Sequence, residues 1–156
     1  MNHPNRLEEL VNQDENTLFR TALAILGDRG LAEDAVQDAF LRWLEKRPDF
    51  TGEDHEKAWL LRVTINRCKS HLRSVKRHPA AELLDTYPAK TREESGVLEA
   101  VLSLPPRERT AVHLYYYEGY ATDEIAALTG QRPGTVRSHL SRARARLREL
   151  LKGELT

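Results

Sequence analysis

A single cysteine, Cys68, excludes an internal disulfide and fits a reducing, cytoplasmic setting. No stretch approaches the roughly 18 uninterrupted apolar residues of a membrane span, so direct membrane insertion is not expected. The N-terminus, Met1-Asn2-His3-Pro4-Asn5-Arg6, has no apolar run behind it and does not read as a secretory signal. Glycine-rich phosphate loops, HExxH and paired-cysteine zinc spacings are all missing, and the six histidines are scattered. Cys68 and His71 stand three apart on a helix, yet nothing supplies further ligands, and Cys68 falls on an apolar face as a buried structural thiol. The reading is therefore not an enzyme: no catalytic residues, metal, cofactor or small-molecule substrate are expected. Alternating strand patterns are absent as well.

Net charge is zero, which at first argues against a nucleic-acid partner. The distribution of charge argues the other way. Residues 1–56 carry net −7, residues 57–81 net +7, residues 82–131 net −5 and residues 132–156 net +5. Local fields of alternating sign steer charged partners more than the total does.

Helical periodicity fills the chain. Leu18, Ala22, Ile25 and Leu26 form one stripe, ended at Gly27-Asp28-Arg29-Gly30. Ala32, Ala35, Val36, Ala39, Phe40, Trp43 and Leu44 form the next, followed by a loop at Arg47–Gly52. A third helix is expected from about Glu56 to Lys76. Residues 77–95 lack a stripe, apart from one helical turn expected near Glu82–Leu84, and read as a linker. Pro105-Pro106 opens a helix through about Tyr117, and Gly119 ends it. The fold class expected is all-α: two small helical domains joined by a flexible linker, the second containing a helix-turn-helix. The boundaries are 1–77, a linker at 78–96, and 97–156.

Three helix faces are set apart from the core. On Leu31–Lys46, at 100° per residue, Asp34, Gln37, Asp38, Leu41 and Glu45 lie opposite the apolar stripe. That face is either a solvated surface or a docking site for a basic partner, and Leu41 amid charges favours docking. On residues 59–77, Arg62, Asn66, Lys69, Arg73, Lys76 and Arg77 cluster beside the apolar Leu61, Ile65, Cys68, Leu72 and Val75. Cations match phosphates and Asn can read a base edge, so the face is read as a DNA contact, the alternatives being a solvated face or a site for acidic lipid or protein, while Phe50 and Trp59 either stack on an unpaired base or belong to the core. The final pattern is Asp123–Gly130 followed by Gly134–Arg144, two helices about a glycine turn. Val136, Leu140, Ala143, Leu147 and Leu150 should pack inward, leaving Thr135, Arg137, Ser138, His139, Ser141 and Arg142 outward, as in a recognition helix. Arg144, Arg146 and Arg148 either contact backbone or stand in solvent. His113 should pack inside the second domain.

Ala32-Glu33-Asp34-Ala35-Val36-Gln37-Asp38-Ala39-Phe40-Leu41-Arg42, Ala58-Trp59-Leu60-Leu61-Arg62-Val63 with Asn66–Arg73, Leu102-Ser103-Leu104-Pro105-Pro106-Arg107-Glu108-Arg109, and Gly134–Arg144 follow one another in order. This array closely resembles bacterial RNA polymerase sigma factors of the extracytoplasmic-function (ECF) group, from about Leu18 to Leu151. The resemblance implies sigma domains 2 and 4 without a third between them, and a sigma factor directing promoter-specific transcription initiation. It implies core RNA polymerase binding, chiefly to the clamp helices of the largest subunit, through Asp34, Gln37, Asp38 and Leu41. It implies melting and capture of the −10 element by the basic helix with the Pro48–Glu53 loop, Arg62, Asn66, Lys69 and Arg73 being the matching residues, and Phe50 and Trp59 are grouped with them as −10 contacts. It implies −35 recognition by Thr135, Arg137, Ser138, Ser141 and Arg142, a linker threading toward the RNA exit path, and an anti-sigma factor as a further partner beside promoter DNA.

Three positions depart from the pattern. Ala121 stands where the family often has a Ser or Thr N-cap, which leaves Thr122 as the alternative entry to the helix. Pro133 lies one place later than usual, and Ser70 stands where Asp is frequent. Two alternatives remain open from the residues: a stand-alone helix-turn-helix regulator, which would leave the acidic and first basic helices unexplained and lacks a dimerisation heptad, and a sigma-like interaction protein without initiation activity.

Overall fold

The computed structural model describes residues 6–74 and 92–152. Among them are helices and connecting turns and no strand. The helices are α1 (Arg6–Leu26), α2 (Arg29–Lys46), α3 (Glu53–Ser74), α4 (Arg92–Leu102), α5 (Pro106–Val112), α6 (Thr122–Thr129) and α7 (Pro133–Leu150), with a π-helical segment, His113–Tyr117, continuing α5.

Helix α1 buries Leu10, Leu18, Ala22 and Ile25 and starts well before the stripe legible in sequence. The turn after it is tighter than expected. Gly27, at φ +67°, closes α1, and its N–H donates to the Leu23 carbonyl at 2.8 Å. Asp28 then caps α2, its carboxylate accepting from the Leu31 N–H at 2.9 Å, so Arg29 and Gly30 are already helical. Ala32, Ala35 and Ala39, all fully buried, bring α2 close to α1. Helix α3 enters at Glu53, three residues earlier than expected, and packs Leu60, Leu61, Ile65 and Cys68 on both. Burial pushes the Cys68 thiol up to about 12, as suits an inert core thiol. The buried Glu56 knots the three helices together: it accepts from Trp43 Nε1 at 2.9 Å and pairs with Arg6.

In the second group, α4 begins at Arg92, inside the stretch read as linker; the turn expected near Glu82–Leu84 lies outside the described residues. Pro106 supplies the first turn of α5. The widened turn of the π segment is seen in the Glu118 N–H donating to the His113 carbonyl at 3.1 Å, and Gly119, at φ +78°, ends it. Helix α6 starts at Thr122, the alternative that Ala121 left open; the Glu124 carboxylate accepts from the Ala121 N–H at 2.8 Å in place of a side-chain cap.

The two groups pack together, α1 against α5 and the π segment, α3 against α6, with one continuous apolar core. Arg109 joins them. Its buried guanidinium donates to the carbonyls of Ala24 and Ile25 at the end of α1, and to those of Leu104 (2.9 Å) and Leu102 (3.4 Å) ahead of α5. Nearby, His113 is buried and stacked on Tyr117 of its own half, as expected, and also reaches across to the first group. It lies against α1, its Nε2 3.2 Å from Thr21 Oγ1 and 2.9 Å from Glu118, which in turn pairs with Arg20 at 3.3 Å. Thr21 spends its hydroxyl proton on the Thr17 carbonyl at 2.8 Å, so His113 Nε2–H is the donor in this cluster. Burial holds the imidazole below its ordinary value although Glu118 pulls the other way.

Replacing Arg109 by Met should cost about 3 kcal/mol, because buried carbonyls lose their donors, and Lys should restore little because one ammonium cannot serve both helices; urea unfolding measures both. The unfolded chain, with its histidines near 6.5, binds protons that the folded His113 refuses. Stability should therefore be full above about pH 6.5 and fall as pH drops below it. A melting series from pH 7.5 to 5.5 should show that fall, and His113→Gln should reduce it, leaving the contribution of His139, which burial also depresses.

Candidate nucleic-acid interface

The helix-turn-helix is built by α6, the Gly130 turn and α7. Gly130 sits at φ +69° with its N–H on the Ala126 carbonyl, a geometry that a residue with a Cβ adopts only under strain. Val136, Leu140 and Ala143 of α7 are buried and Leu147 is half-buried, which fixes the helix by its back. Thr135, Arg137, Ser138, Ser141 and Arg142 are all exposed on its front. Pro133 is the first helical residue, where its missing N–H costs nothing. Two neighbours differ from the sequence-based expectation. His139 is buried, its Nε2 3.3 Å from Gln131 Nε2 across the turn, rather than outward. Leu150 is 52% exposed rather than inward, because α7 has by then run past the helices that cover its apolar stripe.

On α3, Arg62, Asn66 and Arg73 are exposed, while Lys76 and Arg77 lie outside the described residues. Lys69 is half-buried and its ammonium donates to the Thr129 carbonyl at the end of α6, so the contact between the helix groups takes it off the free cationic face. Burial, together with Arg107 and Arg73, pushes its pKa down. Phe50 and Trp59 are half-buried and pack edge-on at 6.0 Å, and Phe50 also meets the His55 ring at 5.1 Å. The Thr51 N–H donates to His55 Nδ1 at 3.2 Å and holds the loop ahead of α3 in place.

On α2, Asp34 and Gln37 are exposed and Leu41 is 54% exposed. Asp38 is half-buried and paired with Arg67 of α3 at 2.6 Å. Leu41 stands on the rim of an apolar groove of about 580 Å³ whose floor includes Leu7, Val11, Phe19, Val36 and Phe40. The α1 side of that groove is not evident from the sequence. Leu7, Val11 and Phe19 do stand at helical spacing, but the acidic residues between them obscure it.

Residues 10–78 match the family model for sigma-70 region 2, and residues 96–147 that for sigma-70 region 4. The ECF RNA polymerase sigma factor SigM of Mycobacterium tuberculosis is 34% identical over 149 residues, spanning 92% of this chain and 76% of SigM. The ECF RNA polymerase sigma-E factor of Escherichia coli K12 is 30% identical over 135 residues, spanning 74% of this chain and 71% of its own. The chain belongs to the ECF RNA polymerase sigma factors. It directs transcription initiation as a DNA-binding factor of RNA polymerase, and such factors carry no catalytic centre of their own. Among solved structures, the sigma factor RpoE in complex with the anti-sigma factor NepR from Bartonella quintana is similar with a TM-score of 0.72 and 26% identity, over 95% of this chain and 98% of that one. CnrH in complex with the cytosolic domain of CnrY gives 0.69 and 26%, over 97% and 90%. No helix among the described residues of this sigma factor is long and apolar enough to cross a membrane.

The burial pattern separates residues that hold the surfaces from residues that use them. Leu140→Ala should cost about 3 kcal/mol in urea unfolding, since it empties the back of α7. Leu41→Ala and Arg137→Ala should each shift stability by no more than about 0.5 kcal/mol.

Proposed function

We propose that the sigma factor divides its work among these three surfaces. Asp34, Gln37, Asp38 and Leu41 on α2 engage core RNA polymerase at the clamp helices of the largest subunit, with Leu41 as the apolar anchor over the α1–α2 groove. The loop ahead of α3, with Phe50, Trp59, Arg62, Asn66, Lys69 and Arg73, melts and holds the −10 element. Thr135, Arg137, Ser138, Ser141 and Arg142 on α7 read the −35 element. Residues 1–77 then act as sigma domain 2, residues 97–156 as sigma domain 4 with α4 leading into it from Arg92, and the residues between 77 and 92 as the linker toward the RNA exit path. The observation that carries the reading is the division of α7, whose back is buried to the last apolar side chain before Leu147 while its first two turns offer bare polar residues at groove-reading positions.

The mechanism is non-covalent. Opening a promoter means unstacking bases at a few kcal/mol each, and capture of an unpaired base offsets part of that cost. Two tethered DNA contacts raise each other's effective concentration and make the spacing of the two elements readable. Lys69 reaches DNA only by giving up the Thr129 carbonyl. An anti-sigma factor covering the polymerase-binding surfaces fits the complexes in which the structural neighbours were solved. The cytoplasm, where polymerase works, is the setting.

Run-off transcription with the purified chain, bacterial core polymerase and a genomic promoter library tests this. Transcripts sharing two upstream elements should appear only with the chain. Leu41→Arg should weaken core binding at least tenfold, in the range of an interface hot spot, without unfolding the protein. Unchanged core binding in that variant would remove α2 from the polymerase contact, and Arg137→Ala without effect on −35 preference would remove α7 from the reading of DNA.

A further inference from the structure

Two arginines after the base-reading turns of α7, Arg144 and Arg146, are held differently. Arg146 is neutralised by Glu108 at 2.9 Å. Arg144 has no carboxylate within ion-pair distance among the described residues; tyrosines hold it instead. Its Nε–H donates to the Tyr116 hydroxyl at 2.9 Å, and its guanidinium lies 5.6 Å from the Tyr115 ring centroid and 5.8 Å from that of Tyr116. The two rings meet edge-on at 4.9 Å and are among the few large apolar side chains left exposed. They belong to the π segment after α5, so two elements of the fold converge to fix one surface cation.

This arrangement has three consequences. An Arg stacked on aromatic faces has already lost much of the rotamer freedom that binding would otherwise remove. With Nε engaged, the four terminal N–H donors remain, in the planar fork that fits phosphate oxygens. The Tyr116 hydroxyl accepts from Arg144 and keeps its own proton to donate. Position 144 also lies seven residues after Arg137, 20° short of two full turns, so it shares the exposed stripe of Arg137 and Ser141 about 10 Å further along the helix. A helix whose first turns occupy the major groove carries that position out toward the sugar-phosphate backbone.

We propose that Arg144, held by Tyr115 and Tyr116, forms a preset site for one DNA phosphate flanking the −35 contacts, with the Tyr116 hydroxyl as its second donor. The site adds affinity and register without reading sequence. It rests on the reading of α7 as the −35 helix.

The test is holoenzyme binding to a promoter recovered by run-off selection, across a salt series, with wild type, Arg144→Gln and Tyr116→Phe. Arg144→Gln should weaken binding about tenfold at low salt and make the slope of log K against log salt shallower by about 0.9, the share of one phosphate contact. Its ratio between the matched −35 element and single-base variants should stay at the wild-type value. Tyr116→Phe keeps the ring and the charge and removes the hydroxyl; it should weaken binding roughly threefold with the slope unchanged. An unchanged slope in Arg144→Gln, a changed base preference in it, or wild-type binding by Tyr116→Phe would each overturn the site as described. Wild-type holoenzyme indifferent to the −35 element would overturn the reading of α7 itself, an outcome distinct from wild-type discrimination with Arg144→Gln indistinguishable from it.

Discussion

Arg109 is the constraint on which the described arrangement turns. The last carbonyls of any helix lack an internal donor, and those at the end of α1 are buried against the second group of helices, away from water. Gly27 supplies a donor to one of them; the Arg109 guanidinium supplies donors to the next two and places a cation at the negative end of α1. The same fork ties down the carbonyls of Leu102 and Leu104, fixing the turn that launches α5. Because α5 packs against α7, the location of α7 relative to the first group of helices depends on how the end of α1 is satisfied. Such a buried cation is tolerated only because its donors are so fully used.

The charge pattern makes sense on this frame. A chain of zero net charge still exposes carboxylates on α2 and cations on α3 and α7, the faces that the proposed reading gives to polymerase and to DNA. Some of those charges are spent internally. Asp38 pairs with Arg67, Glu108 with Arg146 and Glu118 with Arg20. The exposed charges without an ion-pair partner among the described residues, Asp34, Arg62, Arg137 and Arg142 included, are available to outside partners as they stand, whereas Asp38 is available only on releasing Arg67.

Much of this was legible in the residues. The stripes of α2, α3 and α7 and the Gly130 turn follow from periodicity and turn chemistry, and the family motifs coincide with them. What was not legible required knowledge of how the two halves meet. Lys69 sits on the cationic face by angle alone, but the approach of α6 sets a carbonyl against it. His139 reads as outward on a helical wheel, yet Gln131 closes over it from the turn. His113 packs in its own half and also meets Thr21 of α1, a contact that its place in the sequence does not show. Leu150 continues the apolar spacing of α7 beyond the point where anything is left to cover it. The groove beside Leu41 is hidden in the sequence because half its wall comes from the first turns of α1, where glutamates dilute the pattern.

These departures share a physical origin. Periodicity specifies which face of a helix is apolar, and the hydrophobic effect, being non-directional, buries that face against whatever arrives. Polar side chains near the edge of such a face are placed by directional partners instead: a carbonyl at a helix end, a hydroxyl one turn away, an amide across a loop. In a factor that acts by binding alone, those edge residues decide which charges are left for polymerase and promoter. The core of this sigma factor accordingly follows from its pattern of apolar residues, whereas its interfaces depend on individual hydrogen bonds that no repeat in the sequence announces.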